Sequence, residues 1–192
     1  NGMISVAFGE AGFRQITNSK REIRKPEDLK GLKIRVLGTC PMFFDLYGQL
    51  GADPTAMNVS EVFSALQQGV VDGQENAVDT AKSYRLSEVQ KYITCWNGVY
   101  DAVAFVASPV FWEKVGDDAA MIQECAVQAM AEQVASCRAS EASILEEFAQ
   151  TMTVTHLTEE ETAAFEAAVE PVYDIWTDKI GADLLAKFGY QK

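Results

Sequence analysis

Three polar side chains in this sequence have the types and positions to bind a carboxylate. Arg35 lies within the alternating segment LKIRVL, Arg14 lies in the strand-like stretch GFRQIT, and Asn76 ends the polar cluster of VVDGQEN. A guanidinium offers a planar fork that matches two carboxylate oxygens, and an amide adds a further donor. Polar residues at strand ends of open α/β sheets commonly meet a ligand in a crevice. For Arg35 taken alone, an edge charge or half of a surface ion pair is the more frequent alternative.

Strand and helix signals around these residues predict an α/β sheet. Pro26 can open a short helical turn that Gly31 closes, and LKIRVL then alternates as a strand with Ile34 and Val36 on one face. Further strand candidates are VVDG, KYITCW, AVAFVAS and TVTHLT, and helix candidates include PMFFDLYGQL and EVFSALQQ. Because strands alternate with helices, we expect an α/β fold, with GADPTAM as a loop.

The helix candidate EVFSALQQ has clear boundary signals. Ser60 is a suitable N-cap, and the apolar stripe consists of Val62, Ala65 and Leu66. Gly69 is expected to end this helix. The buried VVDG strand would then run into a turn that carries the polar cluster.

The C-terminal part of the sequence is predicted to be mostly helical. Residues 117–150 contain neither Gly nor Pro, which predicts one very long helix or two nearly continuous ones. A helix of this length would suit a strut between two lobes. Thr158 and Glu161 form a capping box that opens another helix, which Pro171 should kink or split. GADLLAKFG is the last short helix.

Composition and charge restrict the function classes. Hydrophobic residues make up 48% of the 192 residues and charged residues 23%, which is enough apolar material for a folded core. The formal net charge of −12 argues against nucleic acid and against an anionic membrane surface as partners. It does not exclude a small anionic ligand, since local basic groups can outweigh a screened distant field. No apolar run is long enough for a membrane-spanning helix, so we expect no direct membrane insertion.

The constellations that carry most enzyme chemistry are absent from the sequence. No G-x-S-x-G elbow, P-loop or G-x-G-x-x-G motif occurs. The sole histidine, His156, lies in a predicted strand and is interpreted as structural, because a base or metal ligand needs partners that the sequence does not supply. We therefore predict no catalytic residue, no metal site and no cofactor.

The four cysteines lack the short spacing of a zinc or redox motif. Cys125 and Cys137 are predicted to share one helix, about 18 Å apart at about 1.5 Å per residue, which is too far for a disulfide. A pairing of Cys40 with Cys95 stays open. Free buried thiols that act as small hydrophobic groups are the favoured interpretation.

Three blocks of the sequence resemble, in order and spacing, the solute-binding proteins of TRAP transporters, the DctP-like family. The blocks are GFRQITNSKREIRKPEDLKGLKIRV, LGADPTAMNVSEVFSALQQGVVDGQENA and SEVQKYIT. The resemblance implies a two-lobed α/β fold of the periplasmic-binding-protein type. It also implies a non-enzymatic receptor that captures a small organic acid in the periplasm and delivers it to the membrane subunits of a transporter driven by an ion gradient.

The resemblance assigns roles to the three polar residues. In the family, the arginine of the LKIRV-like strand forms a two-pronged salt bridge to the ligand carboxylate, and that position here is Arg35. The asparagine of the GQEN motif, Asn76 here, helps to hold the same carboxylate. The arginine of the GFR motif, Arg14 here, is a further contact to the ligand or to its surroundings. On this interpretation, the valines of VVDG pack in a lobe core and the following turn presents Asn76 to the cleft.

Two positions depart from the family pattern and bear on the ligand. Relatives often carry His where Trp96 stands, and an aromatic residue where Val59 stands. Trp96 and Val59 are therefore expected to line the pocket and to change its shape or polarity, together with Thr39, which follows the Arg35 strand. These residues leave the identity of the organic acid open.

The family architecture predicts how the sequence is divided between two lobes. Residues 1–12 are expected to end an N-terminal lobe, 13–100 to form the main part of the second lobe, 101–139 to return to the first lobe with the start of the long helix, and 140–192 to pack C-terminal helices on the second lobe. NGMISVAFGE lacks an initiator Met and a signal-peptide pattern. We therefore expect the sequence to begin inside a longer protein, without the N-terminal part of one lobe.

Two other classes of function are alternatives to a carboxylate receptor. An α/β enzyme acting on a small acid would need a general base or nucleophile beside Arg35, and the sequence offers no convincing one. An interaction module or non-binding fragment would use the long helix as a dimer seam, but residues 117–150 are too rich in Ala and Gln for a strict leucine seam. The carboxylate receptor is the leading hypothesis.

Overall fold

A computed structural model describes residues 2–190 of the chain. Its strands are β1 (Ile4–Asn18), β2 (Lys33–Val36), β3 (Asp53–Ala56), β4 (Gly73–Ala77), β5 (Tyr92–Ala107) and β6 (Thr153–His156). Its α-helices are α1 (Met42–Gln49), α2 (Val59–Gln67), α3 (Val78–Ser83), α4 (Pro109–Val115), α5 (Ala119–Phe148), α6 (Glu159–Ile180) and α7 (Ala182–Lys187). The predicted α/β fold with one very long helix is confirmed. None of the helices in this range is both long and apolar enough to cross a membrane.

The strands form one mixed sheet in the order β3-β2-β4-β1-β5-β6. β2 is parallel to β3 and β4, β1 is antiparallel to β4 and β5, and β5 is parallel to β6. Within residues 2–190, β4 pairs with residues 14–18 of β1 and β6 pairs with residues 92–95 of β5. Residues 4–10 of β1 and 102–107 of β5 pair only with each other in this part of the chain. We call this two-stranded extension the ribbon, and the rest of the sheet the main sheet.

Two apolar clusters hold the helices on the main sheet. The first joins Ile34 and Val36 of β2 with Tyr47 of α1, Trp96 of β5 and Phe165 of α6. The second packs α2, α3, β5 and the end of α5 together through the side chains of Val62, Leu66, Ala81, Ile93, Ile144 and Phe148. Burial of one such side chain contributes about 1.5–3 kcal/mol, so these clusters supply most of the driving force for this arrangement.

Two expected boundaries of strands are wrong. KYITCW and AVAFVAS belong to the single strand β5, because its long partner β1 continues the ladder past Asn97, which has a positive φ of 52°. GADPTAM contains strand β3 instead of a loop, since residues 53–56 pair in parallel with β2. In both cases a neighbouring strand satisfies backbone groups that the local sequence pattern leaves unassigned.

The polar cluster after VVDG is a strand and not a turn. Val71 is buried, but Val70 is 53% exposed, and strand β4 is formed by the following GQENA. β4 lies between β1 and β2, so all of its residues are buried. The Gln74 amide shows how a polar side chain is accommodated, since it donates to Thr17 Oγ1 over 2.9 Å. The expectation that a turn presents Asn76 is therefore wrong, because Asn76 lies within a central strand.

The helix start signals are correct for α6 and shifted for α2. α2 begins at Val59 with Asn58 at its N-cap, so Ser60 lies inside the first turn and not at the cap. The predicted capping box of Thr158 and Glu161 opens α6. A difference of two residues at a helix start does not move the apolar stripe, which is buried as predicted.

α6 is not split at Pro171 but continues to Ile180. Beyond the proline, Val172 is buried and Trp176 Nε1 donates to Asp45 Oδ2 of α1 over 2.8 Å. These tertiary contacts hold the second half of α6 on the molecule and offset the backbone hydrogen bond that a proline removes.

α5 packs on both parts of the sheet. Near its start, Ala126 packs with Val6 and Ala7 of the ribbon. Near its end, Ile144 and Phe148 pack in the second cluster of the main sheet. The helix therefore bridges the ribbon and the main sheet, and its role as a strut between two lobes stays a prediction.

All four cysteines are free. Cys125 and Cys137 both lie on α5, as predicted. The pairing of Cys40 with Cys95, which the sequence left open, is not formed. Burial raises the pKa of Cys95 to about 12, so this thiol is unreactive at neutral pH.

Candidate functional site

Arg35 lies in the middle of β2, between two strands that are both parallel to it. Strands in this setting are covered on both faces, and the Arg35 residue is only 1% exposed. Its Nε and Nη2 groups donate to the backbone carbonyl oxygen of Met57 over 2.9 and 2.7 Å. Within residues 2–190 these are the hydrogen bonds of the guanidinium, so its Nη1/Nη2 end retains donors for another acceptor.

The charge of Arg35 has no counter-ion in the described part of the chain, where no carboxylate forms an ion pair with it. Burial lowers the pKa of Arg35, Glu75 acts in the opposite direction, and the positive charge of Arg14 lowers it further. A buried charge is costly unless it is paired. An anion placed at the guanidinium would compensate this charge.

Arg35 borders a pocket with a volume of about 420 Å³. The pocket lies where β2 and β3 end and α2 begins, the side of a parallel sheet where α/β proteins bind ligands. Thr39 and Val59, two of the residues predicted to line a pocket, are found here beside Arg35. The other residues of the wall are Leu37, Gly38, Ala56, Met57, Asn58 and Glu61.

Arg14 is the second buried arginine of the main sheet (5% exposed), but its charge is compensated within the chain. It forms a two-pronged ion pair with the Glu75 carboxylate, with Nη2 and Oε1 3.0 Å apart, and a further ion pair with Asp101. Its guanidinium also lies over the Phe43 ring, 5.5 Å from the centroid. Burial acts to lower the pKa of Arg14, but Glu75 and Asp101 hold it above its ordinary value.

Asn76 lies in β4, beside β1. Its amide nitrogen donates to Gln74 Oε1 over 3.3 Å. Neither Asn76 nor Arg14 is in the wall of the Arg35 pocket. The structure thus groups Arg35 with two of the predicted lining residues. It places Asn76 on β4, the strand next to β2, and Arg14 on β1, one strand further away.

Trp96, which was expected to line the pocket, lies in the hydrophobic core. It is buried between Tyr47 and Phe165, whose ring centroids are 6.1 and 5.7 Å from its own. Its Nε1 group has no hydrogen-bond partner among the described residues, and neither does the Tyr47 hydroxyl. The Trp96 ring therefore fills space between α1 and α6 and does not shape the wall beside Arg35.

Two features of the site are not predicted by the sequence pattern. Glu75 is presented there only as one member of a polar cluster, although a carboxylate in a buried strand needs a buried cation, and this requirement pairs it with Arg14. The Met57 carbonyl orients Arg35. This contact cannot be predicted from the sequence pattern, because every residue has a backbone carbonyl.

A comparison of the sequence with models of protein families identifies the family to which the chain belongs. The family model described as bacterial extracellular solute-binding protein, family 7 (DctP), matches residues 1–179. The chain belongs to this family. The DctP family is one of solute-binding proteins and not of enzymes, and the resemblance inferred from the three sequence blocks is confirmed.

Other DctP-type proteins align over nearly the whole chain. The C4-dicarboxylate-binding periplasmic protein DctP of Rhodobacter capsulatus is 34% identical over 191 residues, which cover 96% of this chain and 56% of the relative. A TRAP periplasmic solute-binding protein from Ralstonia eutropha H16, solved with bound (S)-2-acetolactate, is 41% identical, with a TM-score of 0.89 over 97% of this chain and 61% of that protein. Another TRAP periplasmic solute-binding protein, from Sulfurospirillum deleyianum DSM 6946 with bound succinate, is 29% identical. Its TM-score is 0.89 over 100% of this chain and 64% of that protein.

The chain covers only part of the length of these relatives. The chain spans just over half the length of the curated relative and less than two thirds of either solved structure. Because the TM-scores are high over almost all of this chain, the sheet and the long helix α5 correspond to elements of the periplasmic binding-protein fold. The predicted fold class is confirmed.

Proposed function

We propose that this protein is an extracytoplasmic receptor that binds a small organic acid through its carboxylate and delivers it to the membrane subunits of a TRAP transporter. The observation that supports this most strongly is the Arg35 guanidinium, which is buried, lacks a carboxylate partner within residues 2–190 and borders a pocket of about 420 Å³. Arginine is not deprotonated in proteins, so a buried guanidinium keeps its charge and needs an anion.

The Met57 carbonyl determines how a carboxylate would bind to Arg35. It occupies Nε and one hydrogen of Nη2. Nη1 and the second hydrogen of Nη2 are then left for the two oxygens of a ligand carboxylate, in the two-pronged geometry that favours arginine over lysine. Arg35 lies in a central strand, so the anchor is held in a rigid position while other parts of the protein close over the ligand.

The remaining predicted contacts extend the same proposal. Thr39 and Val59 line the same pocket as Arg35, one with a polar and one with an apolar side chain. Asn76 and Arg14 lie on adjoining strands, and we assign them to holding the carboxylate or its surroundings. The ligands of the two solved relatives, 2-acetolactate and succinate, are both small carboxylic acids, which supports this class of ligand.

The site of action is part of the proposal as well. The Rhodobacter relative is named a periplasmic protein, and both solved relatives are described as TRAP periplasmic solute-binding proteins. We therefore propose a periplasmic location. Uptake of a bound acid into vesicles that contain TRAP membrane subunits should require this protein, and uptake that is equally fast without it would contradict the delivery step.

Calorimetry with 2-acetolactate and succinate on the full-length gene product tests the anchor role of Arg35. Removing one partner of a desolvated charge pair costs about 2–5 kcal/mol, so Arg35→Ala should weaken binding by roughly 30-fold or more. Arg35→Lys should also weaken it, because a point charge does not reproduce the fork. Arg85→Ala, which removes an exposed arginine from a surface pair with Glu88, is the matched control.

Two results would overturn the proposal. If Arg35→Ala binds the tighter of the two acids as well as the parent protein does, Arg35 is not the anchor. If the bound acid is chemically converted during incubation, the protein is an enzyme acting on a small acid and not a receptor.

A further inference from the structure

Beyond the apolar packing of Met130 on the ribbon, the middle of α5 is attached to Glu10 of β1 by polar contacts. The buried residues of α5 are Ala126 near its start and Ile144 and Phe148 near its end. About 18 residues, or roughly 27 Å of helix, separate Ala126 from Ile144. Within this interval, Gln133 and Arg138 both reach Glu10 of β1.

Gln133 takes the place of a neighbouring strand at Glu10. The Gln133 side-chain amide donates from Nε2 to the Glu10 carbonyl oxygen over 2.7 Å, and its Oε1 accepts from the Glu10 backbone N–H over 3.1 Å. β4 does not extend this far along β1, so a side chain satisfies the backbone groups that a strand would otherwise pair.

The Glu10 carboxylate is the centre of a second set of contacts. Arg138 donates from Nε to Oε1 over 2.6 Å and from Nη2 to Oε2 over 2.8 Å, and the Tyr100 hydroxyl donates to Oε2 over 2.6 Å. The Glu10 side chain is only 2% exposed, whereas that of Arg138 is 69% exposed. The hydrogen bonds from Arg138 and Tyr100 lower the pKa of Glu10 to about 2. We call Glu10, Tyr100, Gln133 and Arg138 the Glu10 clamp.

The clamp lies where the ribbon joins the main sheet. The pairing of β1 with β5 shifts between Glu10 and Gly12, and Gly12 has a φ of 89°, in the region that favours glycine. α5 approaches closely at the same point, since a Cβ atom at Gly9 would lie 2.6 Å from Gln133 Oε1. An irregular strand would be free to bend here, and the clamp fixes it to the helix.

Two ion pairs lie between the clamp and β4, the strand next to β2. Tyr100 of the clamp is followed in β5 by Asp101, which pairs with Arg14. Arg14 pairs in turn with Glu75, which lies on β4, the strand next to β2. A movement of α5 relative to β5 is therefore expected to shift Asp101 and, through Arg14, Glu75 on the strand beside Arg35.

We propose that the Glu10 clamp is a positioning device, which fixes the angle between the ribbon and the main sheet and sets the rates at which the Arg35 pocket takes up and releases its carboxylate. The second part rests on the proposed function. The first part rests only on the contacts of Glu10. Arg138 and Glu10 are positioning residues, since neither lines the pocket.

Hydrogen exchange on the full-length gene product tests the first part. Arg138→Gln removes the fork from an exposed position, and Glu10→Gln with Arg138→Gln removes both charges and leaves no unpaired carboxylate. Exchange in residues 9–14 should accelerate by about 2- to 30-fold in both variants, the range expected for loss of a coupled contact. The matched control is Lys82→Gln, which breaks the 2.7 Å ion pair between α3 and Glu147 of α5, away from the ribbon, and should leave residues 9–14 unchanged.

Stopped-flow binding of 2-acetolactate and succinate tests the second part. Arg138→Gln should change the association or dissociation rate by about 2- to 30-fold, and Arg138→Lys, which retains the charge, should recover part of the parent rate. Unchanged exchange in both clamp variants would overturn the clamp as a positioning device. Faster exchange with parent-like binding rates would overturn its link to the pocket. If the parent protein binds neither acid, the proposed function fails, and the exchange data alone decide the role of the clamp.

Discussion

Two buried arginines in one sheet have different kinds of partner. Arg14 on β1 pairs with the carboxylates of Glu75 and Asp101, whereas Arg35 on β2 donates to the Met57 carbonyl and has no carboxylate partner within residues 2–190. Both are almost inaccessible to water, so burial does not distinguish them. The difference is the source of the counter-ion, which for Arg14 is the chain itself.

This difference predicts a role in folding for Arg14 and supports the proposed role in binding for Arg35. When one partner of a buried ion pair within the chain is removed, the folded protein is strongly destabilised, because the other charge is left buried and unpaired. A buried cation without a partner contributes no such pair to the fold. Removal of Arg14 should therefore lower the stability of the protein much more than removal of Arg35. Stabilisation by an added small acid should depend on Arg35.

The largest expected effect is the loss of stability in Arg14→Ala. The change leaves the Glu75 carboxylate buried without its cation, and we expect the free energy of unfolding in urea to fall by about 3–5 kcal/mol. Arg14→Met combined with Glu75→Gln removes both charges and should recover most of that loss. An Arg14→Ala protein within about 1 kcal/mol of the parent would show that Arg14 is no more tied to the fold than Arg35 is.

The next effect is stabilisation by ligand, which should depend on Arg35. An acid at 100 times its dissociation constant should raise the free energy of unfolding by about 2.7 kcal/mol in the parent protein. Thermal melting of the full-length gene product with 2-acetolactate or succinate measures this. At the same acid concentration, roughly 30-fold weaker binding leaves only about 0.9 kcal/mol, so the shift should fall to about a third or less in Arg35→Met and stay full in the control Arg85→Ala. A full shift in Arg35→Met would place the anchor elsewhere.

A smaller effect is expected for the stability of ligand-free Arg35→Met. Methionine fills a similar volume without a charge, so the hydrogen bonds to Met57 are lost while a buried unpaired cation is relieved. We expect the free energy of unfolding to stay within about 1 kcal/mol of the parent value. Urea unfolding beside Arg14→Ala makes the comparison direct, and a loss as large as that of Arg14→Ala would remove the distinction between the two residues.

The smallest effect concerns Glu10, whose partner Arg138 is exposed, unlike Arg14 and Arg35. The hydrogen bonds from Arg138 and Tyr100 lower the pKa of Glu10 from 4.5 to about 2. Its contribution to stability is therefore present above about pH 4.5 and is lost as the pH falls towards about 2. Unfolding curves of the parent and Glu10→Gln should differ at pH 6 and converge as acid is added. A constant difference across this range would show that the carboxylate charge of Glu10 does not contribute.

Much of the fold was predictable because its signals are local. The long helix α5 follows from the absence of Gly and Pro, the capping box of α6 from Thr158 and Glu161, and β2 from its alternation. The errors occur where a distant strand decides the outcome. β3 and the polar strand β4 form because β2 and β1 supply hydrogen-bonding partners, which no local pattern reveals.

The candidate site was predictable in part for the same reason. Arg35, Thr39 and Val59 lie close in space because β2 and α2 bring short segments to one edge of a parallel sheet. The core position of Trp96 was not predictable from the sequence pattern, because it depends on contacts with α6, which lies far along the chain. The pairing of Arg14 with Glu75, 61 residues away, was likewise outside the reach of sequence spacing.

The sequence by itself determined the α/β class, the family and the position of Arg35 in a strand, because periodicity, capping residues and motif order are properties of neighbouring residues. Only the tertiary structure decided which of two similar arginines keeps an unpaired charge. Counter-ions for buried charges come from strands that are remote in sequence, and the order of strands in the sheet places Glu75 against Arg14 while a backbone carbonyl faces Arg35. That arrangement leaves Arg35 without a carboxylate partner in residues 2–190 at the border of the pocket, where we propose that an acid binds.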